Sequence, residues 1–172
     1  MMQMLAAGGL PVLSDGERKS DTDNPRGYLE WERIKQLPKD PTCIAEAEGK
    51  VVKVISQLLL SIPHGYDYRV IFMQRPLREV LKSQDEMLSR RGTVATSGDN
   101  SAVEKAFQGH LKQVDKWLAG KKNIGVLRMQ YHRILNEPQA AATEIAVFLN
   151  TPLKIEAMSQ QVDSNLYRNR AG

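Results

Sequence analysis

Three short apolar runs, Lys50–Ser56 (KVVKVIS), Tyr68–Gln74 (YRVIFMQ) and Ile124–Gln130 (IGVLRMQ), are rich in β-branched residues, and each is followed by helical periodicity. Runs that are apolar at almost every position fit strands covered on both faces, as in parallel sheets. The alternation therefore predicts an α/β fold, with a mostly parallel sheet flanked by helices. Pro11–Leu13 is expected to be a further short extended piece. At 172 residues the chain fits one domain, 1–172. A chain of this size buries roughly two-thirds of its unfolded surface, so it needs no disulfide or metal to fold.

The helices are marked by their punctuation. Pro76–Arg90 carries the stripe Leu77, Val80, Leu81, Met87 and Leu88, with Pro76 suited to a first turn and Gly92 to a stop. Ser101–Ala119 opens on a Ser101-x-x-Glu104 capping box and repeats Val103, Ala106, Phe107, Leu111, Val114 and Leu118 with a 3.6 period, before Gly120. Pro138–Leu149 presents Ala142, Ile145, Ala146 and Leu149, and Asn150-Thr151-Pro152 ends it. Met1–Leu13 lacks a basic leading segment and an Ala-x-Ala site, so it reads as the end of a helix rather than a signal peptide. Ser14–Gly27 and Gly92–Asn100 are the loop-like segments, and a short helix is expected near Trp31–Leu37.

No apolar run approaches the roughly 20 residues of a membrane span. The single cysteine, Cys43, excludes a disulfide framework and fits a reducing cytoplasm. A net charge of +4 permits an anionic partner without specifying one. Arg90-Arg91, Lys121-Lys122 and Arg168–Arg170 read as solvated doublets and a tail, so nucleic acid is not an expected partner. No zinc, Ser-His-Asp or Cys-His pattern is present, and His64, His110 and His132 read as structural.

In parallel α/β sheets, ligands bind beyond the carboxyl ends of the strands, so the residues that follow each strand carry the functional signal. Arg75 follows the second run and precedes a helix. Guanidinium and exposed helical N–H groups both favour an anion there, although a surface Arg, with Ser83 as a neutral helix residue, accounts for the same pattern.

Arg75-Pro76, with Ser83 eight residues after the Arg, resembles the 3′-phosphate-binding segment of sulfotransferases that use 3′-phosphoadenosine 5′-phosphosulfate (PAPS). Asn24–Glu30 (NPRGYLE), Tyr131–Pro138 (YHRILNEP) and Val162–Arg170 (VDSNLYRNR) are similar to segments of bacterial sulfotransferase-like proteins, in the same order. The second of these also reads simply as a strand exit leading into a Pro-started helix. The resemblance implies a P-loop-NTPase-like sulfotransferase fold that transfers a sulfonate group from PAPS, without a metal, to a hydroxyl or amine on a small molecule or carbohydrate. It places Arg75 and Ser83 on the 3′-phosphate, and Arg168 and Arg170 as further cations for the nucleotide.

Lys53 aligns with the family's Lys-x-His segment and would assist the sulfonate, unless it is a strand Lys facing solvent. Ile55 stands where the family has its His base. Glu30 is the replacement candidate for the base, with capping of the short helix as its other reading. The family also begins with a strand and a loop resembling Pro-x-Ser/Cys-Gly-Thr, whereas this chain starts with what looks like the helix that follows. The first strand and phosphate loop are thus expected to be missing from the sheet's middle. Three accounts fit: the neighbouring strands close the gap, a partner chain fills it, or the start is internal to a longer protein, the last being favoured. Transfer by this chain is expected to be weak or absent, and the alternative is a non-catalytic interaction module on the same scaffold.

Overall fold

A computed structural model describes residues 1–18, 20, 21, 24, 26–90 and 100–164. Two strands, β1 (Tyr68–Gln74) and β2 (Ile124–Gln130), pair in parallel from Tyr68↔Ile124 to Gln74↔Gln130. Around them lie α1 (Met2–Ala7), two 3₁₀ turns (Glu32–Gln36 and Pro41–Ala47), α2 (Ser56–Leu59), α3 (Leu77–Arg90), α4 (Asn100–Ala119), α5 (Tyr131–Asn136), α6 (Pro138–Leu149) and α7 (Ile155–Ser159). The class is mixed α/β, as the alternation of patterns requires.

The period-2 geometry of the strands divides the core into two layers. Tyr68, Val70 and Phe72 of β1, with Ile124 and Val126 of β2, pack with Ile34, Leu37, Cys43, Leu59, Val114 and Leu118. The opposite residues, Ile71, Leu127 and Met129, pack with Met4, Leu5, Ala141, Ala142, Ile145 and Met158. Each strand is covered on both faces, which is why its sequence is a nearly continuous apolar run.

Helix ends follow local chemistry. Pro138 opens α6, and Asn150 closes it in the left-handed conformation (φ 51°), with the Thr151 N–H donating to Ala146 O at 3.3 Å. That bond satisfies one of the carbonyls a helix terminus leaves open. No helix among the described residues is long and apolar enough to cross a membrane.

Three expectations are corrected. Lys50–Ser56 is not a strand: only Val51 pairs, in a single parallel bridge to Val12, and Ser56 already belongs to α2. A ladder needs a partner of matching length, but the facing Pro11–Leu13 is short, follows the Gly8-Gly9 turn and begins with a residue that has no N–H. The segment stays extended, with Val52 and Val54 against the core and Ile55 55% exposed.

β1 and β2 pair directly over seven residues, with no gap between them. Second, the α4 stripe is buried only at its carboxyl half, through Val114 and Leu118, while Val103 is 46% exposed. Twenty helical residues run about 30 Å and seven strand residues only about 23 Å, so α4 overhangs the sheet. Third, Ser101 lies inside α4 rather than capping it. The Gly92 stop, the start of the Gly92–Asn100 loop and the terminal arginines lie outside the described residues.

The layer formed by α1, α6 and α7 is tight at Gly8, where a Cβ would lie 2.8 Å from Met158 Sδ and 2.9 Å from its Cγ. Because Met158 is fully buried, Gly8→Ala should lower stability by about 1–3 kcal/mol, read as a drop in the urea midpoint. Combined with Met158→Ala it should cost less than the sum of the two single changes; strict additivity would contradict the contact.

Candidate functional site

The carboxyl ends of β1 and β2 deliver Arg75 and the pair Tyr131-His132 to the same edge of the sheet. Gln130 Nε2 donates to Gln74 Oε1 at 2.8 Å and joins the two exits. Arg75 donates from Nε to Glu79 Oε2 at 2.9 Å, and its guanidinium carbon lies 5.0 Å from the centroid of the Tyr131 ring, within cation–π range. His132 Nε2 lies 3.2 Å from Glu79 Oε1 and 3.3 Å from Oε2. Burial raises the Tyr131 hydroxyl above its ordinary value; the charge of Arg75 opposes the shift and that of Glu79 adds to it.

Glu79 is 2% exposed and is the only buried charged residue among those described. It occupies the first turn of α3, where the helix dipole favours a carboxylate, and lies one turn from Arg75. Ser83, half-buried, follows four residues further along the same helix face. Sequence reasoning selected Arg75 and Ser83 but missed Glu79 and its link to His132. The i,i+4 spacing from Arg75 was the available signal for the first; nothing local announces the second, which spans 53 residues.

A second cluster gathers the two residues expected to be catalytic. Lys53 Nζ donates to Glu30 Oε1 at 2.7 Å, and Arg18 Nη1 lies 3.2 and 3.3 Å from the two Glu30 oxygens. The Arg18 guanidinium carbon sits 3.3 Å from the centroid of the Tyr28 ring, and the Tyr28 hydroxyl donates to Asp21 at 2.8 Å. The backbone reaches this geometry through Gly27 (φ 80°) and Leu29 (φ 47°), the latter a left-handed conformation uncommon for a branched side chain. Lys53 turns to this side because its neighbours Val52 and Val54 turn to the core.

Neither bland alternative fits these two residues. Lys53 is paired rather than merely solvated, and the 3₁₀ turn at Glu32–Gln36 is capped by Asp15, whose Oδ2 accepts from the Glu32 N–H at 2.5 Å. Burial alone would raise the Glu30 carboxyl, but Lys53, then Arg18, outweigh it and hold the group below its ordinary 4.5. Glu30 is therefore ionised at neutral pH and a poor proton acceptor while Lys53 remains bound.

Of the family-like segments, the first and last meet through Arg26, which donates to Gln161 O at 2.7 Å and lies 3.3 Å from Asp163. Arg168 and Arg170 lie outside the described residues. Among those described, no three His, Cys, Asp or Glu side chains gather as a metal site. His64 Nε2 lies 3.4 Å from Lys121, and His110 bonds Ser56 at 2.9 Å. A groove of about 740 Å³ between α3 and α4 is lined by Arg78, Leu81, Lys82, Asp85, Glu86 and Ser89, with Glu104 opposite, and Arg75 is not part of its lining.

No protein-family model matches this chain, and comparison with curated proteins and with solved structures finds no match.

The depressed Glu30 carboxyl sets the sign of a pH response. The unfolded chain binds the proton more readily, so the pair stabilises the fold above the ordinary value and loses its effect as pH falls through the folded one. Urea midpoints of the parent chain should fall more steeply than those of Glu30→Gln between about pH 5 and pH 3. Parallel curves would contradict the pairing.

Proposed function

We propose that this chain is a PAPS-dependent sulfotransferase-family protein, built on a P-loop-NTPase-like sulfotransferase fold. It engages the nucleotide at the carboxyl edge of its parallel strands and acts on a hydroxyl or amine of a small molecule or carbohydrate. The observation that carries this reading is the position of Arg75. It is the first residue beyond β1 and sits at the start of α3, beside the exit of β2, which is where parallel α/β sheets bind anionic ligands. In this scheme Arg75 and Ser83 hold the 3′-phosphate and Lys53 neutralises charge on the transferring sulfonate. Arg168 and Arg170 add positive charge beside the nucleotide. Glu30 takes the acceptor's proton as the acceptor oxygen or nitrogen bonds to sulfur and the sulfur–oxygen bond to the 5′-phosphate breaks. The scheme uses no metal. A reducing cytoplasm suits it, because the one cysteine, Cys43, is buried and burial raises its thiol above the ordinary value.

Two ion pairs favour weak transfer, and with it the second reading, a non-catalytic interaction module. Arg75 is already bound to Glu79, and Lys53 to Glu30, so each cation must leave or share a carboxylate before it serves a ligand. Sharing is the milder demand, because a guanidinium has more than one hydrogen-bonding edge and an ammonium has three donors.

Calorimetric titration with adenosine 3′,5′-bisphosphate tests both readings. The parent chain should bind it, and Arg75→Ala should weaken binding by about 10- to 100-fold, as expected for loss of a charge-assisted contact. A folded parent chain that does not bind the nucleotide, or an Arg75→Ala chain that binds it equally well, would leave the interaction module as the reading.

A further inference from the structure

We infer that Glu79 is the positioning residue of the anion site: it sets the direction of the Arg75 guanidinium and ties it to His132 across the two strand exits. The inference rests on the proposed function, since it concerns how Arg75 is held for its ligand. Glu79 has no catalytic part in it.

The burial of Glu79 is the starting point. Removing a carboxylate from water is costly even after relaxation, and a buried ion pair is often no more stabilising than apolar side chains of the same volume. Leu77, Val80 and Leu81, half-buried, show that apolar side chains already occupy neighbouring positions of α3. What the pair provides beyond packing is a fixed geometry. Glu79 binds Arg75 at Nε, on the inner edge of the guanidinium, and the Tyr131 ring lies against the same group at 5.0 Å. One contact sets the guanidinium's rotation within its plane, and the other sets which way its face points. An arginine side chain has many rotamers, and restricting them before the ligand arrives lowers the ordering cost at binding.

The second partner explains why the carboxylate sits at this position. Arg75 leaves β1 and His132 leaves β2, and Gln74↔Gln130 is the last pair of the ladder. A single carboxylate that accepts from both residues holds two nitrogen donors, one from each strand, at one edge of the sheet. An anion placed there meets a preformed arrangement rather than two independent side chains.

The test is the ratio of affinities for adenosine 3′,5′-bisphosphate and adenosine 5′-monophosphate, which differ by the 3′-phosphate. Glu79→Gln keeps the shape and the acceptor oxygen but not the charge that holds two donors; Glu79→Asp keeps the charge but withdraws it. In either variant the parent chain's preference for the bisphosphate should fall by about tenfold, while 5′-monophosphate binding stays within about twofold. A purely structural role would weaken both ligands alike or leave the ratio unchanged, and a rise in bisphosphate affinity on Glu79→Gln would make Glu79 a competing counter-ion. Each of these results overturns the inference. If the parent chain itself shows no preference, the proposed function fails instead; a parent preference lost in Arg75→Ala but retained in both Glu79 variants removes only the role of Glu79. Should both Glu79 variants fold poorly, Tyr131→Leu, on the other side of the same guanidinium, reads the same ratio, and an unchanged ratio there counts against the preset orientation.

Discussion

The parallel pairing of Tyr68–Gln74 with Ile124–Gln130 is the constraint from which the rest of the arrangement follows. Because alternate side chains of a strand face opposite ways, one ladder serves two apolar layers at once, with α2, α4 and the 3₁₀ turns on one side and α1, α5, α6 and α7 on the other. Because the strands run in the same direction and in register, both chains also leave the sheet at one edge. Arg75 and His132 are close for that reason, and not through any signal in their own neighbourhoods.

The same constraint accounts for the placement of charge. Glu79 is buried where α3 starts, at the exit of one strand, and its partners Arg75 and His132 come from strand exits. The register brings those partners to the buried carboxylate, so the electrostatics of the edge depend on the ladder. The Glu30 cluster is built differently. There the backbone of an irregular segment, with Leu29 in a left-handed conformation, carries a carboxylate to Lys53 and Arg18. Backbone in that region costs of order 1–3 kcal/mol and persists where surrounding contacts hold it; here the two ion pairs and the stacking of Arg18 on Tyr28 are such contacts.

Pairing also limits what these groups do chemically. A carboxylate bound to two cations stays ionised but accepts a proton reluctantly, and an ammonium bound to a carboxylate offers less charge to a sulfonate. Ligand binding that divides the Lys53–Glu30 pair would free both functions together. Arg75 meets Glu79 through Nε, and a guanidinium has further donors with which it can share a carboxylate and an anion.

Features written in short stretches of sequence were readable without the structure. Continuous β-branched runs identified Tyr68–Gln74 and Ile124–Gln130 to the residue, Pro138 and Asn150 bounded α6, and the strand-then-helix order identified the class. Arg75 was recognisable as a candidate because residue type and distance from a strand end are local properties, whereas Lys53 and Glu30 were candidates through the resemblance to sulfotransferase segments. Lys50–Ser56 failed as a strand because pairing depends on a partner elsewhere in the chain, and the Val103 end of α4 failed as core because helix and strand differ in rise per residue. Tertiary structure alone decided which charges meet: Glu30 with Lys53 across 23 residues and Glu79 with His132 across 53. Periodicity and capping act over a turn or two of chain, whereas an ion pair between distant residues exists only once packing has brought them within a few ångströms.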